Sequence, residues 1–183
     1  TSKTVEKGKS KFVGYEIPGK TLGVVGLGAI GVAVANAAAG LGMKVLGYDP
    51  YLSVSGALHL DTRVEIASLD ALLTRSDFIT VHVPLTPDTD KMFNAGTFAK
   101  MKDGAVLINN SRGELADTAA VLEAVESGKL ERYITDFPSD ELIGAKNVIC
   151  VPHLGASTPE AEDNCAEMAA KELVDYLENG NIT

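Results

Sequence analysis

The sequence predicts an α/β domain built on a doubly wound parallel sheet with helices on both faces, and three observations carry that prediction. From Lys20 onward, short apolar runs alternate with helical patterns, the rhythm of strand-helix-strand units. A glycine-rich turn, Gly26-Leu27-Gly28-Ala29-Ile30-Gly31, joins the first apolar run to the first helical stretch. An acid, Asp49, stands eighteen residues past Gly31 at the end of the second run.

Residues 21–25 read as the first strand, residues 28–41 as an Ala-rich helix ended by Gly40 and Gly42, and residues 43–48 as the second strand. Ser68 caps a short helix carrying Leu69, Leu72 and Leu73, and residues 78–83 read as a buried strand stopped by Pro84. The next strand is 105–109. Asp117 or Thr118 caps a helix through Val121, Leu122 and Val125, closed by Gly128, and strands at 133–135 and 148–151 complete the series. Ser157-Thr158-Pro159-Glu160 is a capping box with Pro in the first turn, opening a helix that runs to about Glu178 before Asn179-Gly180. Residues 52–63 and 138–146 read as irregular loops.

The 183 residues, 45% of them apolar, fit one compact domain over 1–183 with enough material for a core. A net charge of -9 repels phosphate backbones and anionic lipid heads, so nucleic acid and membrane surfaces are excluded as expected partners. Five Lys against two Glu in residues 1–20, and seven acids against Lys171 in 160–178, read as solvated faces. Cys150 and Cys165 make neither a disulfide framework nor a metal-ligand spacing, and no metal is expected. The uncharged run 21–43 holds six glycines and Asn36 and reads as a strand, turn and helix rather than a membrane span. No basic segment followed by an apolar one opens the chain, so the expected compartment is the reducing cytoplasm. The first residue is Thr1 rather than Met, as expected of a processed product or a piece of a longer chain.

The chemistry starts at the glycine turn. Bare backbone N–H groups and the positive helix end hold a pyrophosphate there without a basic side chain, as in a Rossmann fold. Asp49 accepts ribose hydroxyls and repels a 2'-phosphate, and no Arg or Lys lies between Tyr48 and Leu60, so NAD is expected over NADP. Polar residues follow the later strands: Val83-Pro84, then Asn110-Ser111-Arg112, then Asp136 and Glu141, then His153. Arg can fork onto a substrate carboxylate, and His beside a carboxylate can accept and donate a proton. Taken singly, Arg112 and Glu141 also suit a solvated surface, while His82 reads as a packed residue and His59 as a loop residue.

Three motifs, residues 23–31, Asn110-Ser-Arg-Gly-Glu114 and Pro152-His-Leu-Gly-Ala-Ser-Thr158, make this chain resemble the D-2-hydroxyacid dehydrogenases along nearly its whole length. The last motifs look most like the branch that oxidises 3-phospho-D-glycerate at the start of serine synthesis. The resemblance implies an NAD-dependent oxidoreductase with Arg112, Glu141 and His153 as its catalytic trio. It further implies that Gly26, Gly28, Ala29, Ile30, Gly31 and Asp49 bind NAD, with Val83, Pro84, Asn110, Ser111, Arg112, Asp136, His153, Leu154, Gly155 and Ala156 lining the same site. The segment Asp136-Phe-Pro-Ser-Asp-Glu141 differs from the family's D-V-F-x-x-E form, which leaves Asp140 beside Glu141 as a partner for His153. The expectation is one lobe of two, the substrate lobe being built from chain before and after this one, with a small anionic hydroxy acid as substrate and homodimers formed through this domain. The alternatives are an NAD-sensing module like the corepressors that resemble this family, or a dehydrogenase for another D-2-hydroxy acid.

Overall fold

The computed structural model describes residues 2–9 and 13–181; Thr1 and Lys11 of the basic amino-terminal stretch lie outside the described residues. By internal contacts the chain divides into two compact units, Thr1–Val151 and Pro152–Thr183, where composition alone suggested one.

The first unit carries a seven-stranded, all-parallel sheet. Its strands are β1 (Thr21–Val25), β2 (Lys44–Tyr48), β3 (Val64–Ile66), β4 (Phe78–Val81), β5 (Ala105–Asn109), β6 (Leu130–Thr135) and β7 (Val148–Cys150). They lie in the order β3-β2-β1-β4-β5-β6-β7. The direction of winding reverses between β1 and β4, the point where ligands bind in doubly wound sheets.

Two helical layers arise from the period-two pattern of the strands. Leu22, Val24 and Val45 face α2 (Ala29–Gly40) and pack on Val32, Ala35, Ala38 and Ala39. Val25, Leu46, Ile79, Val81 and Leu107 face the other way, toward Leu72 and Leu73 of α4 (Leu69–Arg75), Phe98 of α5 (Ala95–Lys100), and Val121 and Val125 of α6 (Thr118–Glu126). On the opposite face α4 comes equally close: a Cβ at Gly23 would stand 2.5 Å from Leu72 Cδ2.

Four elements were not legible as such. The stretch read as a loop at 52–63 contains a short helix, α3 (Val54–His59), which Ser53 caps by accepting from Gly56 N. His59 ends that helix, and its carbonyl accepts from Asn36 Nδ2. Strand β3 is three half-exposed or exposed residues on the sheet edge, too short for a period. Helix α5 starts at Asn94, whose side chain and Thr97 form a reciprocal capping box. The amino-terminal Ser2–Gly8 is a one-turn-plus helix, α1.

The second unit is dominated by α7 (Pro159–Asn179), capped by Thr158 Oγ1 accepting from Ala161 N and stopped at Gly180, whose φ is 72°. It buries no residue, and Met168, Leu173 and Leu177 are among its exposed apolar side chains. No described helix is long and apolar enough to cross a membrane.

Candidate active site

The sheet register builds the site. Tyr48 pairs with Val25, Val25 with Val81, Val81 with Asn109, and Asn109 with Thr135, so the carboxyl ends of five strands stand in one row. The residues next in sequence are therefore presented on one rim: Gly26, Asp49, Val83-Pro84, Asn110-Ser111-Arg112 and Asp136.

At the β1 end the three glycines serve different ends. Gly26 has φ +94°, and a Cβ there would lie 2.6 Å from the His82 carbonyl oxygen. At Gly31 a Cβ would come within 1.9 Å of the Gly26 carbonyl oxygen, so the helix can start beside the strand only with hydrogen in that place. A Cβ on Gly28 would meet nothing within 4 Å, so its smallness leaves open space on the outside of the turn. Helix α2 has no side-chain cap and no acid in its first turn, which leaves its leading N–H groups and its positive end available to an anion. Ile30 is exposed there.

Asp49 is firmly held. Its Oδ2 accepts from Leu27 N and its Oδ1 from Tyr51 N, each at 2.8 Å. One carboxylate thus ties the glycine turn to the loop after β2, and each oxygen retains a lone pair for a further donor. The loop after β4 is equally fixed: Thr89 Oγ1 donates to the Pro84 carbonyl at 2.7 Å and accepts from Thr86 N at 2.8 Å. His82 is the packed residue the sequence suggested, its Nε2 3.0 Å from Thr80 Oγ1, and burial pushes its pKa down.

After β5, Ser111 Oγ donates to the Val81 carbonyl at 2.6 Å and fastens its turn to the end of β4. Arg112 is exposed; its Nη1 donates to the Ser111 carbonyl at 2.6 Å, and its guanidinium lies 5.6 Å from the centroid of the Phe137 ring. After β6, Asp136 is half-buried, and Asp140 and Glu141 are exposed. The polar groups around Glu141, the Ser139 side chain first and a backbone N–H second, hold its carboxyl below its ordinary value, so it is ionised near neutral pH. A cavity of about 600 Å³ opens beside these turns, lined by Glu114, Asp117, Tyr133, Phe137, Ser139 and Leu142 among others.

The first unit therefore brings together the glycine turn, Asp49, Val83, Pro84, Asn110, Ser111, Arg112 and Asp136 along one edge, while Glu141 stands exposed in the loop six residues past the end of β6. His153, Leu154, Gly155 and Ala156 open the second unit, and all four are exposed. Among the described residues, no group of three or more His, Cys, Asp or Glu side chains is arranged to hold a metal ion. Sequence reasoning passed over Asn109, Tyr133 and Thr135, which are buried polar residues behind the rim. A polar residue closing each of two neighbouring strands, Asn109 on β5 and Thr135 on β6, was the available signal.

Residues 1–155 match the family described as D-isomer specific 2-hydroxyacid dehydrogenase, NAD binding domain. The chain is 42% identical over 185 residues to a D-3-phosphoglycerate dehydrogenase of Synechocystis sp., with 96% of this chain and 33% of that protein covered. It is 40% identical over 181 residues to the human D-3-phosphoglycerate dehydrogenase, with 96% of this chain and 34% of that one covered. It thus spans about a third of the length of these relatives. Among solved structures it is similar to a D-2-hydroxyisocaproate dehydrogenase, with a TM-score of 0.83 at 30% identity over 100% of this chain and 61% of that one. It is also similar to the D-lactate dehydrogenase of Lactobacillus jensenii with NAD+, with a TM-score of 0.79 at 30% identity over 98% of this chain and 61% of that one.

Proposed function

The chain belongs to the D-isomer-specific 2-hydroxyacid dehydrogenases, as their NAD-binding domain, and from that premise we propose that it is the cofactor-binding part of an enzyme that oxidises 3-phospho-D-glycerate to 3-phosphohydroxypyruvate, the first step of serine synthesis. The observation that carries the cofactor is the uncapped start of α2 beneath the glycine turn, with the Asp49 carboxylate at the neighbouring strand end. The relatives named D-3-phosphoglycerate dehydrogenase support the substrate.

In this reading Gly26, Gly28, Ala29, Ile30 and Gly31 face the pyrophosphate and Asp49 the ribose hydroxyls. Val83, Pro84, Asn110, Ser111, Asp136, Leu154, Gly155 and Ala156 line the remainder of the cofactor site. When bound, NAD supplies the hydride acceptor. Arg112 grips the carboxylate of the hydroxy acid, with Phe137 beneath its guanidinium to limit its swing. His153 is the group assigned to take the hydroxyl proton, and the partner assigned to stabilise the charged ring that results is a carboxylate, Glu141 or Asp140. Residues 1–183 form the NAD-binding domain, paired as a homodimer and working in the cytoplasm, and the second wall of the substrate cleft comes from chain outside these 183 residues.

Arg112 is exposed, and an exposed ion pair is worth only about 0–1 kcal/mol, while orientation and water exclusion need a second wall. The 183-residue chain should therefore bind NADH and hardly reduce NAD with 3-phosphoglycerate. The complete protein should turn over, and lose turnover far more than NADH affinity in His153→Asn. A complete protein that binds NADH but oxidises no D-2-hydroxy acid would favour the NAD-sensing alternative.

A further inference from the structure

Three polar side chains lie where an apolar core would be expected, between β5 and β6 just behind the rim. Asn109 and Tyr133 are each 1% exposed and Thr135 is fully buried, and Asn109 pairs with Thr135 in the sheet register. Polar groups withdrawn from water in this way cost stability unless they are hydrogen-bonded, so their partners indicate what they hold.

Those partners are the backbones of the two turns. Asn109 Nδ2 donates to the Arg112 carbonyl at 2.8 Å and to Tyr133 Oη at 3.2 Å, while its Oδ1 accepts from Ser111 N at 3.3 Å. The amide thus spends both donors and its acceptor, and two of the three bonds fix the turn that presents Arg112. On the other strand, Thr135 Oγ1 accepts from Phe137 N at 3.0 Å and fixes the turn after β6. Tyr133 stands between them, two residues before Thr135 on β6 and with its hydroxyl 3.2 Å from the Asn109 amide; burial raises its pKa, against the pull of that amide. At the surface the Arg112 guanidinium lies over the Phe137 ring, so the same two turns also meet outside.

We propose that Asn109, Tyr133 and Thr135 form one positioning relay that sets the Arg112 turn against the Asp136-Phe137 turn, with the Tyr133 hydroxyl as its coupling member. None of the three touches the reacting groups. They act through the backbone, so that a shift in one turn is resisted by the other. The inference rests on the reading of Arg112 and Asp136 as site residues, but the relay itself is testable without substrate.

The experiment is residue-resolved amide hydrogen exchange on the 183-residue chain, with NADH affinity measured in parallel. Tyr133→Phe removes one oxygen and leaves the packing volume nearly unchanged. It should speed exchange at both Ser111 and Phe137 about tenfold while leaving Val24, Val81 and Leu107 unchanged. Thr135→Val should speed Phe137 by a similar factor, and Thr135→Ser, which keeps the hydroxyl, should restore the parent rate. The double variant Tyr133→Phe/Thr135→Val should exceed the larger single effect by less than twofold, since the residues act as a unit. Unchanged exchange at Ser111 and Phe137 in Tyr133→Phe, or a rise spread evenly over all strands, would overturn the relay. If Thr135→Val fails to fold, the Tyr133→Phe pattern still decides. Failure of the parent chain to bind NADH would overturn the proposed function and leave the exchange pattern to speak for the relay alone.

Discussion

Replacing Asp49 with Ala should weaken NADH binding more than its ribose contacts alone would require, because the carboxylate also holds the glycine turn. Two effects combine. The Leu27 amide loses its 2.8 Å acceptor beneath a side chain only 2% exposed, and a hydrogen bond to a charged group contributes about 1.5–3 kcal/mol. The Tyr51 amide is exposed and water can replace its partner, so it adds little. The lost ribose bonds contribute a further amount of about 1.5 kcal/mol or more. The sum, about 3 kcal/mol at the low end, corresponds to roughly 100-fold in Kd. NADPH responds differently: it loses the same anchored turn but is relieved of a like charge, worth up to about 4 kcal/mol per charge pair at 4 Å near a protein surface. Calorimetry on the chain should therefore show NADH weakened at least roughly 100-fold and NADPH changed much less, with the parent preferring NADH. Asp49→Asn, which keeps one acceptor oxygen, should fall between the two. An Ala variant that is folded by circular dichroism and binds NADH within threefold of the parent would refute this double role of Asp49, as would a parent chain that binds both cofactors equally.

Gly31→Ala should destabilise the chain by about 3 kcal/mol or more, since its Cβ would stand 1.9 Å from a backbone carbonyl that cannot turn away. At about 2–4 °C per kcal/mol for a chain of this size, a thermal melt unchanged from the parent would contradict the close packing of α2 on β1. His82 supplies a pH dependence. Its folded pKa is lowered by burial, so the unfolded chain takes up a proton first, and the stability it contributes is present above about pH 6.5 and lost as pH falls toward the folded value. The melting temperature of the parent should drop more between pH 7.5 and pH 5 than that of His82→Gln; parallel pH slopes would remove His82 as the cause.

How readily each element can be read from sequence tracks how much it depends on its own residues. Strands β1, β4 and β5 bury nearly every side chain, so they appear as mostly apolar runs. The edge strand β3 exposes Glu65 and Ile66, and its three residues carry no period; pairing with β2 alone makes it a strand. Helix α3 is six residues capped by Ser53 and including a Gly, so its local preferences suit a turn as well as a helix. Its place is set by Ser53 and by the Asn36 side chain, which bonds the His59 carbonyl and the Asp61 amide from α2. The two Asn36 ties join residues more than twenty positions apart, which a local reading cannot pair.

The site shows the same division more sharply. Asp49, Arg112 and Asp136 can be found from sequence because each comes just after a strand, and parallel strands deliver their trailing residues to one rim. The bonds that fix their posture could not be found that way. The bond from Leu27 to Asp49 spans a turn and a whole helix, and the contact of Ser111 with Val81 joins two strands thirty residues apart. Tyr133 and Thr135 occupy alternate positions on β6 and read as ordinary strand residues by propensity. Only the register that sets Thr135 beside Asn109 gives their hydroxyls a common purpose. A sequence can therefore nominate the groups that meet a ligand from their place after a strand, whereas the groups that hold them still are specified by pairings between strands.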